Sequence, residues 1–305
     1  MPTAEHQGRH RAGLSAALIA AVAVTVVAWA SAFVVIRGVR DSFEPASLAL
    51  GRLLVGGLAL SGMLLVRQTW IRPTRREFAL VALCGVAWFS GYNVALNAAE
   101  HRVDAGTASM LSNVGPILVA LLAGALLREG YPRGVLLGAG VAFGGATLIG
   151  LSTVDAESTD LIGVALCLLA VLAWSVGVTA QKPVLRRLPA LQVTQLACLV
   201  GAVACLPFAG KLVHDLRAAP TDAVAGMVYL GLIPTALACG TWAYALTRMD
   251  AGRLGVTVYL VPPITIVVAW PILAEAPHPL AIAGGVIALA GVTLARRRPR
   301  RPAAA

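Results

Sequence analysis

The chain has 305 residues, of which 58% are hydrophobic and only 12% charged, and its formal net charge is +10. A soluble protein of this length has about 25% charged residues, so this composition excludes a globular protein whose whole surface faces water. It predicts instead an all-α integral membrane protein with most of its surface in lipid.

Apolar stretches long enough to cross a membrane follow one another along almost the whole chain. A helix needs roughly 20 residues to span the hydrocarbon core. About ten such spans are predicted, near residues 14–36, 46–66, 77–99, 106–127, 132–151, 161–181, 191–209, 223–247, 254–273 and 280–295. They divide the chain into a tail (1–13), a first unit (14–151), an acidic loop (152–160), a second unit (161–295) and a basic tail (296–305).

The first span begins like a signal peptide, because Arg9-His10-Arg11 precedes an apolar run and Ala28-Trp29-Ala30 resembles a cleavage site. That run is longer than the core of about 7–15 residues that signal peptides have. Ala28-Trp29 also has a counterpart in the second unit, Ala173-Trp174. We therefore expect the span to be retained.

Lysine and arginine collect on one side when ten spans are threaded alternately through a membrane. That side carries Arg9, Arg11, Arg67, Arg72, Arg75, Arg76, Arg128, Arg133, Lys182, Arg186, Arg187, Arg248, Arg253 and the 296–301 tail. The positive-inside rule then predicts a multi-pass protein of the cell (inner or plasma) membrane with both termini in the cytoplasm. The basic tail is interpreted as an anchor at anionic lipid, not as an arm that binds nucleic acid.

A pattern in the fourth and fifth spans recurs 146 residues later in the ninth and tenth. The residues Asp104-Ala105-Gly106, Pro116, Glu129, Gly138, Gly145, Thr147 and Leu148 recur as Asp250-Ala251-Gly252, Pro262, Glu275, Gly284, Gly291, Thr293 and Leu294. Because five spans is an odd number, the second unit must enter the membrane from the opposite side. The sequence therefore predicts two inverted five-helix repeats, an arrangement typical of transporters that work by alternating access.

These residues resemble the EamA-type transporters of the drug/metabolite transporter superfamily over essentially the whole chain. The resemblance rests on Trp29-Ala30-Ser31-Ala32-Phe33, Arg52, the run from Asp104 to Leu111, Gly115-Pro116, Glu129 and Gly138. It implies a secondary transporter of amino acids, other metabolites or drugs, most often an exporter. The second unit departs from the family pattern at Arg253-Leu254-Gly255 and at Pro262-Pro263, so the two halves are expected to do unequal work.

Two polar stripes occupy single faces of the third and fourth spans. They consist of Ser90, Asn93, Asn97 and Glu100, and of Ser109, Ser112, Asn113 and Pro116. Polar groups are not satisfied by lipid, so both stripes are expected to face each other or a watery cavity. The predicted substrate pathway contains the polar residues Ser31, Asn93, Asn97, Ser112 and Asn113. Hydrogen bonds that merely hold helices together are the alternative, which suits the serines especially.

Aromatic residues and prolines at equivalent positions point to the same pathway. Trp29 and Trp174 lie well inside the first and sixth spans, and with Tyr92, Tyr244 and Tyr259 they predict an aromatic cavity for an apolar or cationic solute. Core filling or an interfacial belt is the alternative. Pro116 and Pro262 each remove a helical hydrogen bond and are predicted as hinges. A kink needed only for packing is the alternative.

Few charged residues are candidates for a functional role. Arg52 is the only lysine or arginine more than one residue from the end of a predicted span, and snorkelling to the nearer interface is the preferred interpretation, with an ion-pairing role as the alternative. Glu100, at the end of its span, is the best candidate for proton coupling. Glu129 and Glu275 are interpreted as structural partners of loop residues.

Other functions find less support in the sequence. A passive channel or a lipid scramblase is the main alternative, although the chain has no ring of charge or repeated filter. An intramembrane enzyme is a further alternative, but no paired Asp, HExxH motif or phosphate loop occurs, and every His lies in a terminus or loop. No cofactor or metal is expected. A homodimer is the minor alternative to close helix packing within the bundle at Gly134 and Gly138.

Overall fold

The computed structural model describes residues 15–102, 111–112, 114–128, 130–131, 133–151, 161–265 and 279–296. All regular secondary structure in these residues is helical. The predictions that concern Ser109, Asn113, Glu129, Glu275 and the 152–160 loop lie outside the described residues.

The helices follow the predicted spans in chain order. They are α1 (Ala16–Val39), α2 (Pro45–Arg67), α3 (Arg75–Glu100), α4 (Gly115–Leu126), α5 (Arg133–Leu151), α6 (Leu161–Val184), α7 (Ala190–Ala218), α8 (Thr221–Leu246), α9 (Ala251–Gly255, continued by the 3-10 segment Val256–Leu260 and by 261–265) and α10 (Pro279–Arg296). Six of them, α1, α2, α3, α6, α7 and α8, are long and apolar enough to cross a membrane. The described residues thus form an all-helical, multi-pass protein, and the full count of ten spans stays a prediction.

Local sequence explains where several helices begin and end. At the start of α3, the Glu77 backbone N–H donates to the Thr74 hydroxyl, and the Thr74 N–H donates to the Glu77 carboxylate at 2.7 Å, which is a capping box. Pro45 lies in the first turn of α2, where a missing N–H costs nothing. The helix stops at Gln68, whose φ of 48° is left-handed and whose N–H donates to the Leu64 carbonyl.

The two ends of the helical bundle differ in charge. The connections 68–74, 185–189 and 247–250 lie at one end, which we call the basic end because Arg72, Arg186, Arg187 and Arg248 are there. A pair of hydrogen bonds between Gln192 and the Ile71 backbone joins two of these connections, at 2.6 and 3.0 Å. The connections 40–44 and 219–220 lie at the opposite end, the mixed end. There the Glu44 N–H donates to Asp215 at 3.0 Å.

Two helix crossings repeat each other between the units. The π-helical segment Gly85–Tyr92 of α3 packs against α7, and the π-helical segment Gly231–Leu237 of α8 packs against α2. A Cβ at Gly85 would lie 2.6 Å from the Ala197 carbonyl oxygen, and one at Gly231 would lie 2.6 Å from the Val55 Cβ. Only glycine allows such close backbone approach. Because Gly85 and Gly231 are separated by the repeat offset of 146 residues, the crossings are equivalent.

A second pair of glycines, on the partner helices, allows the same close approach at these crossings. A Cβ at Gly56 of α2 would lie 2.9 Å from the Gly231 carbonyl oxygen, and one at Gly201 of α7 would lie 3.0 Å from the Gly85 carbonyl oxygen. Each repeat therefore packs closely against the π-helical segment of the other repeat. This mutual arrangement places the two π-helical segments on either side of the bundle centre.

The outer surface of the bundle is apolar. Leu58 is 74% exposed, Val66 85% and Leu161 80%, which would be unfavourable in water but is expected of side chains that face lipid. Outside the central helices, α5 packs along α10, so the fifth helices of the two units pair with each other. The five cysteines are free and buried, as expected of small packing residues.

Candidate functional site

A cavity lies at the centre of the bundle, between the two units. The space inside it that a water-sized sphere can occupy is about 80 Å³, which is room for several water molecules or for a small solute. Its walls come from α1, α2, α3, α6, α8 and α9, with Ser112 from the segment before α4. On α1, α2 and α3 the lining residues lie in the half of each helix nearer the mixed end. On α8 they lie in the half nearer the basic end, so the cavity lies near the middle of the bundle.

Four tryptophans from four helices meet at the cavity. They are Trp29 of α1, Trp88 of α3, Trp174 of α6 and Trp242 of α8, and in five of the six ring pairs the centroids are 5.0 to 6.4 Å apart. Trp29 stands nearly perpendicular to Trp88 and Trp174, at 81° and 84°, the edge-to-face arrangement that aromatic rings prefer. Three of the rings line the cavity, while Trp242 is only 1% exposed and lies behind them. We call these residues the tryptophan cluster.

Glycines and a π-helical segment explain how the tryptophan cluster fits together. Trp88 lies in the π-helical segment of α3, a feature that is frequent at functional sites. It packs over Gly177 of α6, where an added Cβ would lie 2.5 Å from the Trp88 Cβ. The Trp174 ring packs over Gly115, where an added Cβ would lie 3.0 Å from the ring. Side chains at these two positions would push the rings out of place.

Arg52 of α2 supplies the charge of the cavity wall. It lines the cavity, is 7% exposed, and donates from Nε to the Thr235 hydroxyl at 3.0 Å. Thr235, in the π-helical segment of α8, in turn donates to the Leu230 carbonyl at 2.8 Å. The expectation that Arg52 snorkels to the interface is therefore wrong. A cavity inside the bundle gives the guanidinium a polar partner that α2 alone does not offer.

Other polar groups of the third span lie at or near the cavity. Asn93 lines it and donates to the Phe89 carbonyl at 2.7 Å. Asn97 does not line it: it is 1% exposed and donates to the Pro45 carbonyl at 2.9 Å. Glu100 is 7% exposed, and its Oε1 has no hydrogen-bond partner in the described part of the chain. The polar stripe thus runs from the cavity toward the mixed end.

The structure brings six of the predicted site residues to this cavity, namely Trp29, Tyr92, Asn93, Ser112, Trp174 and Pro262. Ser31 lies nearby between helices, with its hydroxyl 2.8 Å from that of Tyr229. Tyr244 lies under the Arg248 guanidinium at the basic end, 3.7 Å from it. Tyr259 is fully buried in a separate cluster with Ala120, Val135, Ala139 and Val256.

Pro116 lies in the first turn of α4, where a helix needs no N–H from it. The helical residues 111–112 precede it, and Val114 between them lies in a turn. Pro262 is buried in the cavity wall, within the helical residues 261–265. The two prolines thus lie near the cavity in different local settings.

Sequence reasoning missed three residues of the site: Trp88, Thr235 and Trp242. A signal existed for the tryptophans, since both lie inside predicted spans and a tryptophan in lipid is normally found near an interface. No signal marked Thr235, because its role depends on the packing of α8 against α2.

Toward the basic end, hydrogen bonds close the bundle beneath the tryptophan cluster. The hydroxyls of Thr25 and Thr241 lie 2.7 Å apart and link α1 to α8. Lys182, near the end of α6, donates to the Leu246 carbonyl at 2.6 Å and also to the Met249 carbonyl. The first helices of both units are thereby tied to α8 or to the residues just after it.

A close helix crossing completes the closure at the basic end. The start of α9 crosses α4 at two glycines, where a Cβ at Gly252 would lie 3.4 Å from the Ala120 Cα and one at Gly255 would lie 3.3 Å from a Val119 methyl. The two helices are thus in van der Waals contact at these glycines. The cavity is thus separated from the basic end by the tryptophan cluster, the hydrogen bonds and this crossing.

Comparisons with known proteins agree with this architecture. The EamA-like transporter family matches residues 15–151 and again 161–297. A probable terminal-alkyne amino-acid exporter of Streptantibioticus cattleyicolor is 40% identical over 281 residues, which cover 91% of this chain and 93% of that protein. A probable amino-acid metabolite efflux pump of Salmonella typhimurium is 24% identical, with 88% of this chain and 91% of that protein covered. A solved crystal structure shares the fold, with a TM-score of 0.74 at 18% identity over 92% of this chain and 96% of that chain.

Proposed function

The chain belongs to the EamA-like transporter family, whose relatives are named as transporters and exporters and not as enzymes, and we propose that it exports a small amphipathic amino acid or a related metabolite by alternating access. The observation that carries this proposal is the central cavity, which is walled by helices of both units. A site at the interface of two repeats is where secondary transporters bind their substrates.

The direction of the helices supports inverted repeats. The first helix of the first unit, α1, ends at the mixed end, because residues 40–44 follow it. The first helix of the second unit, α6, ends at the basic end, because residues 185–189 follow it. We propose on this basis that ten spans form two five-helix repeats of opposite orientation.

The two equivalent glycine crossings support alternating access. Each repeat packs against the π-helical segment of the other through the same kind of close contact. We infer that the two repeats can pack in two ways, closed at one end or at the other, and that these two states are close in energy. In the proposed cycle, the observed state is closed at the basic end. By the positive-inside rule the basic end is cytoplasmic. Pro116 and Pro262 are the proposed hinges.

The cavity lining indicates an amphipathic substrate. Aromatic rings give the wall an apolar surface that suits a short apolar or unsaturated chain, while Arg52, Asn93 and Ser112 supply polar contacts. The relative that is 40% identical is named as an exporter of a terminal-alkyne amino acid. We therefore propose an amino acid with a small apolar side chain, for which L-propargylglycine is a suitable probe.

Counter-exchange in proteoliposomes tests this function. The purified full chain is reconstituted, the vesicles are preloaded with unlabelled L-propargylglycine, and entry of the labelled compound is followed. A carrier gives saturable entry that is accelerated by the unlabelled compound inside. Entry without saturation or acceleration would favour a passive channel, and the absence of protein-dependent entry of this probe and of a wider amino-acid panel would contradict the proposal.

A further inference from the structure

We propose that Arg52 and Thr235 form a carboxylate-binding site, so that the transported compound is a monocarboxylic acid held by its carboxylate with its apolar part against the tryptophan cluster. This inference rests on the proposed function, because it assumes that the cavity holds the transported compound. It adds the chemical group that the protein recognises.

The first support is that Arg52 is buried without a counter-ion. The residue is 7% exposed and makes one hydrogen bond, from Nε to Thr235. Its two terminal amino groups make none within the described residues. No ion pair joins Arg52 to Glu100 or to another carboxylate of the described residues. A buried charge is costly unless it is paired, so an anion is expected to complete the site.

The second support is the way in which Thr235 orients the guanidinium. The Thr235 hydroxyl donates to the Leu230 carbonyl, which leaves an oxygen lone pair directed at Arg52 Nε. With Nε engaged, the remaining donors are the two terminal amino groups, whose N–H bonds form a planar fork. Such a fork matches the two oxygens of a carboxylate. The arginine comes from the first unit and its positioning threonine from the second, so the site spans both repeats.

The third support is that the second unit has no charged residue at the position equivalent to Arg52. The position equivalent to Arg52 in the second unit is Ala197, at the same offset of 145 residues that relates Gly56 to Gly201. Arg52 is thus the single charged side chain among the described residues that line the cavity. One positive charge balances one negative charge. The site therefore fits a monocarboxylate better than a dicarboxylate or a phosphate ester.

The remaining lining fits the rest of an amino acid. Ser112 lines the cavity, and its buried hydroxyl oxygen has no hydrogen-bond partner in the described residues, so a rotation of the side chain would present it to a second polar group of the ligand. The faces of Trp29 and Trp174 attract an ammonium group as well as an apolar chain. An α-amino acid thus finds a partner for each of its three parts.

Binding of an acid and its amide by the purified full chain separates this site from a general apolar pocket. L-propargylglycine and L-propargylglycinamide share the side chain and the ammonium group, but only the first has a carboxylate. Titration is followed by the intrinsic fluorescence of the tryptophan cluster. A hydrogen-bonded charge contributes roughly 1.5–3 kcal/mol, or about 10- to 150-fold in Kd, so the acid is expected to bind at least about tenfold more tightly than the amide.

Variants of Arg52 test whether this residue causes the preference for the acid over the amide. We expect Arg52→Gln to bind acid and amide with Kd values within about twofold of each other, whereas Arg52→Lys keeps part of the preference. Arg217→Gln, which removes an exposed arginine of α7, is the matched control and leaves the preference unchanged. If Arg52→Gln fails to fold, as judged by gel filtration, the same binding measurement is made with Thr235→Val. This variant should weaken acid binding selectively, and Thr235→Ser should restore it.

Several outcomes would overturn the site. These are a preference for the acid that survives in Arg52→Gln, equal affinity of the unmodified protein for acid and amide, or no saturable response to the acid. If the acid and the amide bind with equal affinity and both undergo counter-exchange in proteoliposomes, the carboxylate site is contradicted but the proposed transport function is not. Absence of counter-exchange of any amino acid would contradict the proposed function itself.

Discussion

Trp29 and Trp174 stand edge to face, with ring centroids 6.4 Å apart and ring planes at 84°. They occupy equivalent positions in the two units, 145 residues apart. A residue touches its own repeat-mate only where the axis that relates the repeats passes between them. The contact therefore locates that axis at the tryptophan cluster, beside the cavity, whose walls come from both repeats.

The first prediction concerns the wall of the cavity. Trp174→Ala should lower the initial rate of L-propargylglycine counter-exchange at least about tenfold, because the variant removes an aromatic wall whose ring contacts contribute about 0.5–1.5 kcal/mol each. Trp70→Ala is the matched control, since Trp70 is 55% exposed at the basic end and should leave the rate unchanged. Equal rates in the two variants would place the pathway elsewhere.

The second prediction concerns the equivalent crossings. Gly85→Ala and Gly231→Ala should each lower the stability of the protein, because the new methyl group would lie 2.6 Å from an atom of the partner helix, and such overpacking costs about 1–3 kcal/mol. Gly62→Ala is the control, since nothing lies within 4 Å of its added Cβ. Thermal unfolding in detergent measures the effect. A melting temperature of the Gly231→Ala protein equal to that of the control would contradict the observed packing.

The third prediction concerns the closure at the basic end. Thr25→Val removes the hydrogen bonds of the Thr25 hydroxyl to Thr241 and to the Ala238 carbonyl and should shift the protein toward a state that is open at that end. The reporter is Ser112→Cys, in the cavity wall, placed in a background without the native cysteines. A membrane-impermeant maleimide added on the side of the basic end should label it several-fold faster when Thr25→Val is present.

The control for this prediction is Thr247→Val. That threonine is exposed at the basic end and donates only to the nearby Tyr244 carbonyl, so its loss should not open the bundle. Equal labelling rates in the Thr25→Val and Thr247→Val proteins would show that the Thr25 contact does not hold the basic end closed.

The fourth prediction concerns energy coupling. Glu100, the last residue of α3, is buried and its Oε1 has no hydrogen-bond partner in the described residues, and we propose that it exchanges a proton during transport. Glu100→Gln should abolish transport driven by a pH gradient while substrate counter-exchange, which needs no net proton movement, continues. Transport by the variant that still responds to the gradient would exclude this role for Glu100.

Whether a site residue could be predicted from the sequence depends on the kind of pattern that marks it. Trp29 and Trp174 were predicted to belong to one group because the repeat marks them, and their rings lie 6.4 Å apart at the cavity. Gly85 and Gly231 carry the same offset and could have been found in the same way. The π-helical segments that these glycines begin were not predicted, because a periodicity of 3.6 residues per turn contains no information on a widened turn.

Arg52 shows why the remainder of the site required the structure. Its place seven residues into α2 predicted a side chain that reaches the near interface. Its direction is decided instead by the crossing of α2 with α8, which brings the Thr235 hydroxyl within 3.0 Å. Nothing in the local sequence of either helix contains that contact, since the two residues are 183 positions apart.

The most direct test of the account is an experimental structure of the full chain with bound L-propargylglycine. We predict that the compound occupies the cavity, with its side chain in van der Waals contact with both Trp29 and Trp174. A ligand seated between one repeat and the lipid, or at any place from which the two tryptophans are out of reach, would contradict the claim that the repeats share one site.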